Sequence, residues 1–148
     1  MKIVVTGASG FVGQAVIREL LSRDVEVLGV CRRKVDANFP LVEVSDYSET
    51  PVGDVLIHLA EDRDLVIVEK KGEVYKAQTL NSLKNLVEKG FSRVVYGSSA
   101  HVYGDKKNYP RGSSEKISPV NIYTQTKIVC EKLIQKTGGV SARMSNLY

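Results

Sequence analysis

A chain of 148 residues is long enough for one domain with its own core. With 43% apolar and 26% charged residues it has the composition of an ordinary globular protein, and no apolar run approaches the roughly 20 residues of a membrane span. The net charge of +4 comes from scattered lysines and arginines without interleaved aromatics, so a nucleic-acid partner is not expected.

The chain opens on Lys2-Ile3-Val4-Val5, which reads as a strand and not as the basic start of a signal peptide. The expectation is a cytoplasmic protein. Apolar runs predict strands over 3–6, 25–30, 41–44, 54–59, 94–96 and 140–144. Between them, Phe11, Val12, Ala15, Val16 and Leu20 recur at helical spacing and predict a helix over 11–21. Leu80, Leu83, Leu86 and Val87 mark a helix within 64–89, and a second long helix is predicted over 119–136, with Pro119 near its start and Gly138-Gly139 as its stop. Strands that are apolar throughout and alternate with helices predict an α/β fold, a Rossmann-like, doubly wound parallel sheet. Ligands on such sheets sit beyond the carboxyl ends of the strands. Cys31 and Cys130 are expected to be free, buried thiols. With only His58 and His101, and no Cys/His cluster at zinc-ligand spacing, no metal is expected.

The first candidate site follows the first strand. Thr6-Gly7-Ala8-Ser9-Gly10-Phe11-Val12-Gly13 spaces glycines three by three and opens a helix. A diphosphate needs such a turn, because the backbone must come close and the helix start offers unpaired N–H groups. After the second strand, where a carboxylate would bind an adenosine ribose, the chain has Arg32 and Arg33. Two guanidiniums suit a 2′-phosphate, which favours NADP over NAD.

Tyr123 and Lys127 stand at i and i+4 on one face of the second long helix. An ammonium near a phenol lowers its pKa and makes it a usable acid/base. Tyr103 and Lys107 match the same spacing, but Gly104 and Asp105 are poor helix residues, so this pair reads as a decoy. Ser98 and Ser99 lie after the fifth strand, where a hydroxyl can hold a substrate oxygen. A Ser-His-Asp hydrolase is not supported, since no G-x-S-x-G elbow is present.

Taken in order, T-G-A-S-G-F-V-G at 6–13, S-D-Y at 45–47, D-V-L-I-H-L-A at 54–60, S-S-A-H-V-Y-G at 98–104, Y-T-Q-T-K at 123–127 and R-M-S-N-L-Y at 143–148 resemble the extended short-chain dehydrogenase/reductase family, of the nucleotide-sugar epimerase/dehydratase type. The resemblance implies that Gly7, Ser9, Gly10 and Gly13 form the phosphate loop, with Phe11 and Val12 lending backbone N–H groups. It implies that Asp46 and Tyr47 flank the adenine, that Leu59 and Ala60 line the cofactor, and that Arg63 reaches the diphosphate. Ser99 would hold the substrate, Tyr123 would be the acid/base, Lys127 would tune it and bind the nicotinamide ribose, and Asn146 would touch the substrate.

The implied activity is NAD(P)-dependent hydride transfer on a nucleotide sugar, as an epimerase, a dehydratase or a simple carbonyl reductase. A non-catalytic NADP-binding module is the alternative. Family members commonly pair through the helix before strand five and the tyrosine helix, so a homodimer is the corresponding expectation. The chain departs from the family at three places. The stretch between strands two and three is too short for its usual helix. The N-x-x-G-T of the family reads Tyr75-Lys-Ala-Gln78-Thr79, and His-Leu-Ala-Ala reads His58-Leu-Ala-Glu61. Family members also run on well past the motif that stops here at Tyr148, so the expectation is a chain truncated before its substrate domain, with an incomplete substrate pocket.

Overall fold

The computed structural model describes residues 1–33, 35–62, 64–104 and 110–145. Six strands, β1 (Lys2–Thr6), β2 (Glu26–Cys31), β3 (Leu41–Glu43), β4 (Val55–His58), β5 (Arg93–Ser99) and β6 (Val140–Met144), form one sheet in the order β3-β2-β1-β4-β5-β6. Every pairing is parallel. Each strand pair therefore needs a crossover, and the helices that make them cover both faces.

The alternation of side chains along β1 shows how the two faces are filled. Val4 joins a buried cluster with Val30, Leu56, Val94, Leu83 and Leu86 of α3 (Glu73–Val87), and Cys130 and Ile134 of α4 (Ile122–Lys136). Ile3 and Val5 point the other way, toward Ile17 of α1 (Phe11–Leu21) and Val27. Burying side chains of this size stabilises the fold by about 1.5–3 kcal/mol each. Both cysteines are buried and free, as expected.

Several predicted boundaries move, each for a local reason. The helix predicted within 64–89 is two helices, α2 (Leu65–Lys71) and α3, because Gly72 takes φ +54° between them. Asp64 caps α2 by accepting the N–H groups of Val66 and Ile67 at 3.0 and 3.1 Å. The helix predicted from 119 starts at Ile122. Asn121 caps it in a reciprocal arrangement with Thr124, which leaves Pro119 outside. Ser98 and Ser99 lie within β5, not after it, because Arg143 and Met144 of β6 extend the pairing that far. Among the described residues no helix lies between β2 and β3, as the short spacing predicted. None of the described helices is long and apolar enough to cross a membrane.

Strand β1 has β2 on one side and β4 on the other, so the winding reverses beside it. A crevice at such a reversal point, beyond the carboxyl ends of the strands, is where this class of fold holds its ligands.

Candidate functional site

The glycine loop leaves β1 at the reversal point, and its glycines are there for space. Gly7 takes φ +71°, and a Cβ on it would lie 2.8 Å from the backbone of Leu59 and Ala60 beyond β4. A Cβ on Gly13 would strike the Gly7 carbonyl. The loop is closed by Gly10 N–H donating to the Gly7 carbonyl at 2.9 Å, and it is tied to β2 by Ala8 N–H donating to Val30 at 3.2 Å. Gly10 is the N-cap of α1 and brings no side chain, so the helix start is left open to the crevice. Gly7, Gly10, Phe11, Val12 and Gly13 line one wall of a cavity whose opposite wall includes Ser99, Tyr123 and Lys127. The resemblance had grouped these residues, and the fold brings them around one space.

A second hollow adjoins it past the end of β2. It is lined by Arg32, Asp46, Tyr47 and Ala60, with Tyr75 and Gln78 from α3. The Arg32 guanidinium lies over the Tyr47 ring, 5.4 Å from its centroid. Asp46 accepts the Ser48 N–H at 2.7 Å, and its hydrogen bonds to Ser48 hold its carboxyl below the usual range. Burial pushes the Tyr47 phenol up. Below it, His58 Nδ1 is 2.7 Å from Thr6 Oγ1 and its ring stacks on Tyr96. Burial, aided by the charge of Lys127, drives the His58 pKa down to about 3. This histidine is neutral at neutral pH and is part of the scaffold.

Lys127 is 4% exposed. Its Nζ donates to the Gly97 carbonyl at 2.6 Å and lies 5.5 Å from the Tyr123 ring centroid. The i and i+4 spacing thus puts the ammonium next to the Tyr123 ring. It also lies 4.9 Å from the Tyr96 ring centroid. Lys127 has a further partner, the carboxylate of Glu61, with which it forms a buried ion pair.

The two serines are divided in role. Ser98 Oγ donates to Glu131 Oε1 at 2.5 Å, and Glu131 takes a bidentate contact from Arg143 at 2.9 and 2.7 Å. Burial raises the Glu131 pKa, but the hydrogen bonds from Arg143 and Ser98 outweigh it and leave the carboxyl below its usual range. Ser99 faces the cavity, and its Oγ accepts the His101 N–H at 3.2 Å. Tyr103 is buried, and its hydroxyl accepts from Arg143 at 2.8 Å, which accounts for it as a structural residue.

Not every predicted residue reaches the cleft. Ser9 lines a separate hollow with Gln14, Arg18 and Phe39, on the α1 side of the loop. Arg32 and Arg33 are both exposed, and of the two it is Arg32 that lines the hollow beside Tyr47. Cys31 Sγ donates to the Arg33 carbonyl at 2.8 Å. Arg63, Asn146, Lys107 and Lys34 lie outside the described residues. Sequence reasoning missed the Ser98–Glu131–Arg143 network. Its one signal was the position of Glu131, four residues beyond Lys127 on the same helix face.

The sequence pattern of the NAD dependent epimerase/dehydratase family matches residues 3–148. The chain belongs to this family. Among curated relatives, methionine adenosyltransferase 2 subunit beta of Danio rerio is 27% identical over an alignment of 140 residues that covers 90% of this chain and 43% of that protein. UDP-glucose 4-epimerase of Azospirillum brasilense is 26% identical, over 93% of this chain and 44% of its own length. Among solved structures, UDP-glucose 4-epimerase of Thermotoga maritima, determined with UDP-glucose, superposes with a TM-score of 0.85 at 20% identity, over 100% of this chain and 56% of that one. An NAD dependent NDP-hexosamine 5,6-dehydratase of tunicamycin biosynthesis gives a TM-score of 0.84 at 22% identity, over 99% and 55%. The chain thus spans about half the length of the relatives it matches. Against the family resemblance, the residue that stands out is Glu61, a carboxylate where the motif has a small alanine.

Proposed function

We propose that this chain is the dinucleotide-binding half of an NAD(P)-dependent enzyme that acts on a nucleotide sugar by hydride transfer. The observation that carries the reading is the single cavity that has the glycine loop on one wall and Ser99, Tyr123 and Lys127 on the other. The donor set fits a dinucleotide: a cradle that a Cβ would fill at Gly7 and Gly13, an open helix start, and a tyrosine with an ammonium beside it.

In this reading the amides of Gly10 to Gly13 bind the diphosphate. Asp46 and Tyr47 flank the adenine, with Leu59 and Ala60 along the cofactor. Arg32 takes a 2′-phosphate, which makes NADP the preferred cofactor. When bound, the nicotinamide supplies the centre that accepts or returns a hydride. Tyr123 moves the proton of the substrate hydroxyl, and Ser99 holds the same oxygen by a hydrogen bond. Lys127 binds the nicotinamide ribose and favours the phenolate of Tyr123 through its charge. The Gly97 carbonyl fixes Lys127 in place. Epimerase, dehydratase and carbonyl reductase share these steps.

Calorimetric titration with NAD and NADP tests the reading. Saturable binding that is lost in Gly13→Ala supports it. Tighter NADP binding that is lost in Arg32→Ala supports the arginine assignment, and tighter NAD binding removes it.

A second reading, a dinucleotide-binding subunit without chemistry, is favoured by one feature: the charge of Lys127 is neutralised by Glu61. Relatives described as a subunit of methionine adenosyltransferase suit that reading.

A further inference from the structure

Glu61 follows Ala60 just beyond the carboxyl end of β4. Its side chain is 13% exposed, and that of Lys127 is 5% exposed. Glu61 Oε1 also accepts a long hydrogen bond of 3.5 Å from the Tyr96 hydroxyl. The residue lines both the hollow at Arg32 and Tyr47 and the cavity at Ser99 and Tyr123, so it stands where the two meet. An extended dinucleotide that fills both must pass it. Lys127 has three N–H donors in all, of which one is committed to Gly97 and one to Glu61.

We propose that Glu61 is a latch on Lys127, which a dinucleotide opens by taking over the lysine while Glu61 takes up a proton. The inference rests on the dinucleotide reading and goes beyond it, because the family resemblance places a small alanine here and assigns it no such task.

The physical argument is about where charge can go. A buried carboxylate and a buried ammonium offset each other's loss of hydration, and removing either partner leaves the other uncompensated. A ribose hydroxyl that engages Lys127 is neutral, so it replaces the hydrogen bond of Glu61 but not its charge. The groups around Glu61 offer little help. From α4 the facing groups are Lys127 itself and the Cys130 thiol, which burial pushes up to about 11, and from β5 it is the neutral Tyr96 phenol. From α3 it is the Tyr75 phenol, and from β4 it is His58, neutral at pH 7. Asp62, next in the chain, adds a like charge, and Arg32 and Lys71 line only the outer hollow. Burial already raises the carboxyl above its usual range, and Lys127 is the first group that opposes this. Once Lys127 turns to the ribose, the carboxyl binds a proton from solvent. The latch also explains how a positive charge beside Tyr123 is kept silent until a cofactor is present: the pair is neutral when closed, and the ammonium acts on the phenol only when Glu61 is protonated.

The test is calorimetric titration of the purified chain with NAD and with NADP at pH 7, in two buffers of different ionisation heat, which counts protons taken up per dinucleotide bound. The expected result is uptake approaching one proton in the wild type, close to none in Glu61→Gln, and binding roughly tenfold tighter or more in that variant. Binding by Glu61→Gln alone supports the latch as well. Wild-type binding with no proton uptake overturns it and leaves the dinucleotide reading standing. Weaker binding by a folded Glu61→Gln also overturns it and makes Glu61 a ribose ligand. If Glu61→Gln does not fold, the wild-type proton count decides alone. No binding by folded wild type and folded variant overturns the latch together with the reading beneath it.

Discussion

The two ends of the cleft are built from different materials. At the diphosphate end the surface is backbone: Gly7 and Gly13 leave no room for a side chain, and Gly10 opens the start of α1. At the Tyr123 end the surface is side chain and charge: Lys127 and Glu61 line it as a buried pair, and Ser98, which also lines it, is bonded to the Glu131–Arg143 pair. The difference matters for how each end fails. A backbone site is insensitive to pH and to most neighbouring substitutions but intolerant of a single added carbon. A site of buried charges tolerates changes of shape and responds to any change in the balance of charge.

The largest effect belongs to the charged end. On the proposed function, Tyr123→Phe should lower turnover by about 10²–10⁴-fold. Dinucleotide affinity should stay within about threefold, since in that reading the phenol moves a proton and is not the anchor. Steady-state kinetics beside a binding titration reads both, and unchanged turnover removes Tyr123 from the chemistry.

Glu131→Ala breaks a buried network on which Arg143 and Ser98 depend. It should cost about 3–5 kcal/mol of stability by chemical denaturation, because Arg143 keeps a charge without its partner. A cost below about 1 kcal/mol would show the pair to be solvated.

The backbone end is tested by Gly13→Ala. The added Cβ meets the Gly7 carbonyl, so the loop must open. Dinucleotide affinity should drop on the order of a hundredfold, or about 3 kcal/mol. The sheet should remain, which circular dichroism can verify. An affinity unchanged in a folded variant would mean that the loop does not hold the diphosphate.

The smallest effect is on pH dependence. His58 has a folded-state pKa of about 3, well below its unfolded value near 6.5. Between those values the unfolded chain binds a proton that the folded chain does not, so stability falls as pH drops from about 6.5 toward about 3. The low pKa of Glu131 adds a further loss, beginning below the ordinary carboxylate value of 4.5 and ending as pH falls through the folded-state value. Melting temperatures in His58→Asn should be flatter between pH 6.5 and 5 than in the wild type. Parallel curves would show that His58 titrates alike in both states.

The sheet was legible because its strands are apolar on both faces, a signal that helix-covered parallel sheets leave in the chain. The glycine loop and the Tyr123–Lys127 pair were legible because each is local, within eight residues or one helical turn. What was not legible depends on distance or on direction. Gly72 reads as one tolerated glycine in a helical run, and only its positive φ shows that it divides α2 from α3. Ser9 lines a different hollow from the rest of the loop, and of the two adjacent arginines Arg32 is the one that lines the hollow beside Tyr47. Glu61 and Lys127 lie far apart in the chain, and Glu131 and Arg143 lie on different elements. No periodicity joins them, and the one hint of Glu61 was a carboxylate in place of the family's small residue.

On the proposed function, the crevice beside β1 holds a dinucleotide along its full length. Titration of the isotope-labelled chain with NADP and NAD, followed by amide resonances, tests it most directly. The signals of Gly10 to Gly13 should move together with those of Gly97 to Ser99 and of Lys127, at one saturating concentration. Shifts confined to the hollow at Ser9 and Phe39, or no shifts in a folded chain, would contradict it.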